Sequence, residues 1–494
     1  MELLFPKATV PCLKQLKSEV QTLEETQELR MPEEYPDIGK ILGAWGQVLL
    51  RGKEWRDGSM AVSGGVMTWI LYKAEGEEGQ LRTVEAWIPF QVKWNLPPTQ
   101  HDGVIRVIPL LRSVDARTTS SRKMVARVTV ALLGEAYVRD EVQICTPPEL
   151  PEDIHLLQES YPVLLPREAG EKAFDMEEEL ILPGSCPKIA KMIRFSLQPE
   201  LIDQKVLSGK VVFRGIAILH ILYQSEDGQL CTWDFEVPFS RYGELEDLYE
   251  QEARSTVTLG LTSLELQEEP EGKLYLKAGL TGQYMIYDKT MLTIGRDAYS
   301  NCREVQLYRE DTELPSVLEM RQNTVTLQCD TQPNGRILDT AFYPDHPQLQ
   351  RDGEGVKVQL PGRIHILTEK DGEVAGSTHN CSGSLELPME RNVTPMVTVM
   401  PSGKPDTGNI QRADVLVETV SGISQGVPMI CAIEAGAIPE KPSEKPSLIL
   451  RRTGNDTLWD IAKVSGSTVE AIRAANHLEG TVEAARMLLI PISE

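Results

Sequence analysis

One two-strand signature occurs three times and limits the fold before anything else does. Gly65 to Phe90 reads G-V-M-T-W-I-L-Y-K-A-E-G-E-E-G-Q-L-R-T-V-E-A-W-I-P-F. Gly215 to Phe239 reads G-I-A-I-L-H-I-L-Y-Q-S-E-D-G-Q-L-C-T-W-D-F-E-V-P-F. A shorter version, G-R-I-H-I-L-T-E-K-D-G-E-V, runs from Gly362 to Val374 and continues to L-E-L-P-M at Met389. Each is a run of β-branched and aromatic residues, a polar Gly turn, and a second run closed by apolar-Pro-apolar. That pattern is a β-hairpin. The copies lie about 150 residues apart, a domain-sized rather than a solenoid-sized period.

The flanks repeat as well. A lead strand precedes each hairpin at Gln27–Met31, Glu178–Leu182 and Thr324–Gln328, and two further strands follow. In the second copy Val257, Leu259 and Leu261 alternate with Thr256, Thr258, Gly260 and Thr262. Leu274, Leu276, Ala278 and Leu280 alternate with Lys273, Tyr275, Lys277 and Gly279. Strict alternation puts one face in a core and one in water. The expected fold is therefore mainly β. Three antiparallel β-domains, sandwich or open barrel, span 16–140, 159–288 and 312–436, with strands of roughly 5–10 residues. Thr146–Pro166 and Thr290–Pro315 read as Pro-rich joints, with Asp153–Glu159 compatible with a short helix. Residues 437–447 (A-I-P-E-K-P-S-E-K-P-S) read as an extended, solvated linker.

Beyond the linker the pattern changes. Leu448, Ile449 and Leu450 form a short apolar strand. Gly454-Asn455-Asp456-Thr457-Leu458-Trp459 turns into a helix, with Asp456 or Thr457 as its cap. Ser467-Thr468-Val469-Glu470 reads as a capping box opening a second helix, which ends at Asn476-His477-Leu478. Met487–Ile492 returns as a strand. This βααβ order over 448–494 resembles a LysM module, a family that binds N-acetylglucosamine glycans. It departs from that family in Asn455, in Ala485-Arg486 where Gly-Gln is usual, and in lacking an aromatic residue on the first strand. The resemblance implies a groove with Asp456, Thr457 and Leu458 on one wall and Asn476, Leu478, Glu479 and Gly480 on the other. Trp459 beside the cap is a candidate anchor for a partner, together with Asp460, Lys463 and His477. The alternative is that Asp456 and Thr457 only cap, and that Leu458 and Trp459 only support the module core.

The net charge of −23 argues against nucleic acid or an anionic membrane as the main ligand. The N-terminus M-E-L-L-F-P-K-A-T-V-P-C lacks the pattern of a signal peptide, and no apolar run reaches membrane-spanning length. A cytosolic chain without membrane insertion is expected. The eight cysteines stand singly, without a C-x-x-C pair, so free thiols are expected rather than structural zinc.

Phosphate-loop, dinucleotide-binding, zinc-protease and nucleophile-elbow motifs do not occur. His220 and His365 share one hairpin position, which Trp69 fills in the first copy. They read as solvent-facing strand residues rather than as a ligand pair. Trp69, Trp87 and Trp233 read as sheet packing, and Glu177-Glu178-Glu179 and Glu268-Glu269 as solvated runs. The expectation is no catalytic residue, no metal and no cofactor.

The order of β-repeats, linker and one terminal LysM resembles the SPOCS-domain proteins of endospore-forming Firmicutes. In layout it is closest to the clostridial SipL type of spore coat morphogenetic protein. The resemblance implies a non-enzymatic scaffold in the mother-cell cytoplasm that encases the forespore. It also implies docking on a coat basement-layer ATPase, with the LysM module taking part. The second candidate is a peptidoglycan or N-acetylglucosamine binder. A third and weaker one is a cell-wall hydrolase.

Overall fold

The computed structural model describes residues 1–56, 58–76, 81–99, 102–269, 272–330, 333–352, 355–389, 393–406, 411–438, 447–452, 456–478 and 487–492. Strands dominate, and one ladder of lead, last and next-to-last strand recurs in three successive sets. β1 (Glu2–Leu4) precedes a first set of β2 (Lys7–Arg30), β3 (Ile38–Arg56), β4 (Ser59–Ala74), β5 (Leu81–Asn95), β6 (Val104–Ser120) and β7 (Lys123–Cys145). The second set is β8 (Ile154–Ile181), β9 (Ile189–Leu207), β10 (Lys210–Ser225), β11 (Leu230–Glu244), β12 (Arg254–Glu269) and β13 (Lys273–Ser300). The third is β14 (Val305–Cys329), β15 (Arg336–Pro344), β16 (Gln348–Asp352), β17 (Gly355–Lys370), β18 (Glu373–Pro388), β19 (Thr394–Asp406) and β20 (Arg412–Ala435). The C-terminal module is β21 (Leu448–Arg452), α1 (Leu458–Ser465), α2 (Val469–Asn476) and β22 (Met487–Pro491).

Within each set the lead strand pairs with the last, and the last with the one before it. These ladders are β2-β7-β6, β8-β13-β12 and β14-β20-β19. The middle strands form separate sheets in the first two sets, β3-β4-β5 and β9-β10-β11; in the third, β15 and β16 pair with β17-β18, and β18 joins the lead strand β14 at one end. All ladders are antiparallel. Alternation drives the burial. On one face of β7, Met124, Ala126, Val128, Val130 and Leu132 are fully buried. Each larger aliphatic side chain of this kind contributes roughly 1.5–3 kcal/mol relative to exposure.

The repeated signature has a packing cause. Phe90 lies directly across the ladder from Gly64, and Phe239 from Gly215. A Cβ on Gly215 would sit 2.4 Å from the Phe239 ring, and one on Gly64 2.8 Å from the Phe90 ring. The ring covers the bare backbone of the facing strand, so the glycine and the Pro-Phe travel together. The β17–β18 turn is Asp371-Gly372, both at positive φ (53° and 78°), the type I′ geometry of a two-residue hairpin.

The strands exceed the sequence expectation. β8 and β13 are 28 residues each. They stay continuous by bulging rather than breaking: each lead strand itself carries one skipped residue, Leu16, Arg167 or Leu318. The two Pro-rich joints are therefore largely strand. Ile154–Glu159 lies in β8, not in a helix, and β13 and β14 occupy most of Thr290–Pro315. β8 pairs along its length with β13 and touches β14 at one position. Prolines whose missing N–H would point away from β13 cost it no ladder bond.

The expectation of free thiols is also corrected. Cys329 on β14 and Cys381 on β18 form a disulfide across one ladder position, while Cys12, Cys145, Cys186, Cys231, Cys302 and Cys431 are free. Single spacing in sequence hid a pair that the fold makes adjacent.

Candidate functional site

The C-terminal module is built as its local signals dictate. Thr457 caps α1, and Asp460 returns the bond to the Thr457 backbone N–H, a reciprocal capping box. The Thr457 hydroxyl and then its backbone N–H, both donating to Asp460, hold that carboxyl below its ordinary range. At α2 the expected cap is displaced by one residue. Thr468 is the N-cap and accepts from Ala471 N–H, while Ser467 Oγ donates instead to the Pro491 carbonyl. His477 closes α2 in the left-handed region at φ 51°.

The groove residues are largely committed to the fold. Asp456 accepts from Arg451 at 2.7 Å. Leu458 is half-buried against the module core, as is Leu478. The Asn476 amide braces β22, donating to the Ile472 carbonyl and accepting from Leu489 N–H at 2.8 Å. Glu479, Gly480, Asn455, Ala485 and Arg486 lie outside the described residues, as does most of the linker 437–447.

Trp459 takes a position the sequence does not reveal. Its indole N–H donates to Asp297 Oδ2 at 2.8 Å, and its ring meets Tyr299 edge-on at 4.8 Å. Lys463, one turn further along α1, donates to both Asp297 oxygens at 2.8 and 2.7 Å. Tyr299 Oη donates to the Ser467 carbonyl at 2.9 Å. Tyr299 is 5% exposed and joins Ile461, Ala462, Ile472, Leu488 and Ile490 in one apolar cluster, so a body residue completes the module core. Burial, with Glu470 nearby, pushes its phenol up to about 12. The β13 ladder skips Arg296 just before Asp297, and a bulge of that kind re-aims the side chain that follows it.

The three sets meet at two buried polar junctions. In the first, Arg194 of β9 makes paired hydrogen bonds to Asp339 of β15 at 2.8 and 2.9 Å. Its guanidinium lies 5.2 Å from the ring centroid of Trp45 of β3. His220 sits between two carboxylates, Asp234 at 2.6 Å and Asp339 at 2.8 Å. Burial alone pushes the Asp339 carboxyl up; Arg194 and His220 more than reverse this and bring it to about 2. His365 packs edge-on to Trp45 at 5.1 Å, and burial lowers it to about 4. Trp69, at the equivalent position of the first set, meets Phe195 of the second at 5.0 Å. His220 and His365 thus face the junction, not water, which corrects the sequence reading. A solvent-facing position and an inter-set position carry the same period-2 signature.

In the second junction Arg106 of β6 donates to Glu135 at 3.1 Å and to Thr258 of β12 at 2.6 Å, and reaches Glu418 of β20 at 3.9 Å. Burial would lower the Arg106 guanidinium, but Glu135, Tyr137 and Glu418 hold it above its ordinary value. Burial raises the Glu418 carboxyl despite Arg106. Gln283 exchanges both amide bonds with the Val107 backbone, at 2.8 and 2.7 Å.

A cleft of about 420 Å³ opens beside the first junction, lined among others by Arg194, Gln198, His220, Asp339 and Tyr343. Arg194, His220 and Asp339 are spent on one another, so the arrangement locks sets together. Among the described residues no three His, Cys, Asp or Glu side chains converge as a metal site, and no helix is long and apolar enough to cross a membrane.

Residues 188–267 match the family model described as SipL, SPOCS domain. The matched span covers β9, β10, β11 and most of β12, the second copy of the hairpin signature with its flanks. That family points to a spore-coat-related role in sporulation. Neither a curated protein nor a solved structure matches the chain.

Proposed function

We propose that the chain is a non-enzymatic scaffold of the spore coat. Three copies of one β-unit form its body, and a LysM-type module at the C-terminus captures a protein partner. By the family resemblance that partner is the coat basement-layer ATPase at the forespore surface, reached from the mother-cell cytoplasm. The observation that carries this reading is the SPOCS match over 188–267. Two features of the geometry support it. The strand pairing recurs three times, and polar residues from all three sets are spent in the junctions, which gives one broad, rigid surface. Among the described residues, the groove polar groups Asp456, Thr457 and Asn476 are engaged within the module, which favours a protein contact over a sugar. A tethered second contact raises avidity through effective concentration without new chemistry. A fluorescent fusion followed through sporulation tests the reading. The full chain should encircle the forespore, and a chain ending before Leu448 should stay diffuse. A diffuse full chain, or a ring with either form, contradicts it.

A further inference from the structure

The module's tether begins beside the surface on which the module rests. Gly436, immediately before the linker, donates to the Glu304 carbonyl at 2.9 Å, close in sequence to the β13 tip at Ser300. Such a short tether holds the module at an effective concentration on the order of millimolar, so a modest contact stays formed. The contact itself is specific in chemistry. Asp297, with its side chain only 20% exposed, receives an indole N–H and an ammonium from α1, and Arg309 stands 3.5 Å from its Oδ1. Tyr299 enters the module core and holds the Ser467 carbonyl.

We propose that the tip of β13, Asp297 to Tyr299, is a docking surface for the chain's own C-terminal module. Docking closes the Trp459–Lys463 face of α1 until a partner displaces it. The face that the module would offer to a protein partner is the face the body holds, so capture requires release. Asp297 is the hinge of that competition because it satisfies Trp459 and Lys463 together. Val464 on the same helix is 75% exposed, so the body covers one side of α1 and leaves another open. The consequence for partner capture rests on the scaffold reading above; the docking itself does not.

The test uses the full chain with Asp297→Asn, which keeps the shape and removes the charge, beside Lys289→Ala as a control on the same strand. Hydroxyl-radical labelling read by mass spectrometry reports Trp459 directly, with Trp45 and Trp94, each 1% exposed, as internal standards. Losing charge-assisted hydrogen bonds of this kind shifts the docking equilibrium about ten-fold or more. We expect Trp459 labelling to rise toward that extent in Asp297→Asn, with amide exchange in α2 unchanged. Labelling equal to that of the control variant overturns the proposal. So does labelling that rises only together with loss of α2 protection, because the module would then be unfolding rather than undocking. The same variant should capture the coat ATPase more strongly. If labelling rises while capture does not, the docking stands and the partner reading fails.

Discussion

Removing the Asp339 carboxylate should do more damage than removing any surface charge of this acidic chain. Asp339 is fully buried and accepts from Arg194 Nε at 2.8 Å, Arg194 Nη2 at 2.9 Å and His220 Nε2 at 2.8 Å. The Arg194 side chain is itself 4% exposed, and the Asp339 side chain 0%. Asp339→Ala leaves a buried guanidinium without its carboxylate, and breaking such a pair costs about 3–5 kcal/mol. Replacing both partners at once, Arg194→Met with Asp339→Leu, removes the charges together and should come within about 1–2 kcal/mol of the parent. By contrast Lys7→Ala breaks an exposed pair with Glu310 and should cost less than about 1 kcal/mol. Urea unfolding with an unchanged slope reads all three. A single change at Asp339 costing under about 1 kcal/mol, or a double change as harmful as the single one, refutes the reading that this junction locks the second set to the third.

The same junction sets the acid limit. His365 is lowered in the fold to about 4 from 6.5, so the unfolded chain takes its proton first and stability should fall as pH drops from about 6.5 to about 4. Asp339, lowered to about 2 from 3.8, holds its contribution above about 4 and loses it between there and about 2. His365→Phe should flatten the upper limb of stability against pH and leave the lower one. Gly376→Ala should destabilise strongly, because a Cβ there would lie 1.9 Å from the Leu42 carbonyl of the first set; a melting temperature unchanged within error would contradict this close approach. Alkylation of the unfolded, unreduced chain should modify six cysteines, and labelling of all eight would show Cys329 and Cys381 unpaired.

The hairpins were legible in the sequence because glycine, the facing Phe and the β-branched runs each report a local constraint. Both helices were legible from their caps, although Thr468 rather than Ser467 opens the second. What could not be read is what joins distant segments. Arg106 and Glu135, or Arg194 and Asp339, look like ordinary strand charges until the fold turns them inward. Cys329 and Cys381 are brought together only by a short pairing of β14 with β18. Pro162 and Pro166 mimic a linker, because a residue that breaks a two-sided ladder is harmless on a strand paired mainly on one side. Trp459 stood out as a candidate anchor. Its mate Asp297 did not, because it sits in a stretch with no periodic signal, beside a bulge that only a ladder reveals.

The most direct test of the scaffold reading is capture of the coat basement-layer ATPase in co-expression pull-downs, with the full chain and with residues 448–494 removed. The account predicts capture by the full chain and its loss on deletion. It also predicts that the full chain binds chitin oligomers no more tightly than about millimolar, on the order of −4 kcal/mol. Undiminished capture after the deletion, together with tight binding of chitin oligomers by the full chain, would contradict it and make the protein a glycan binder.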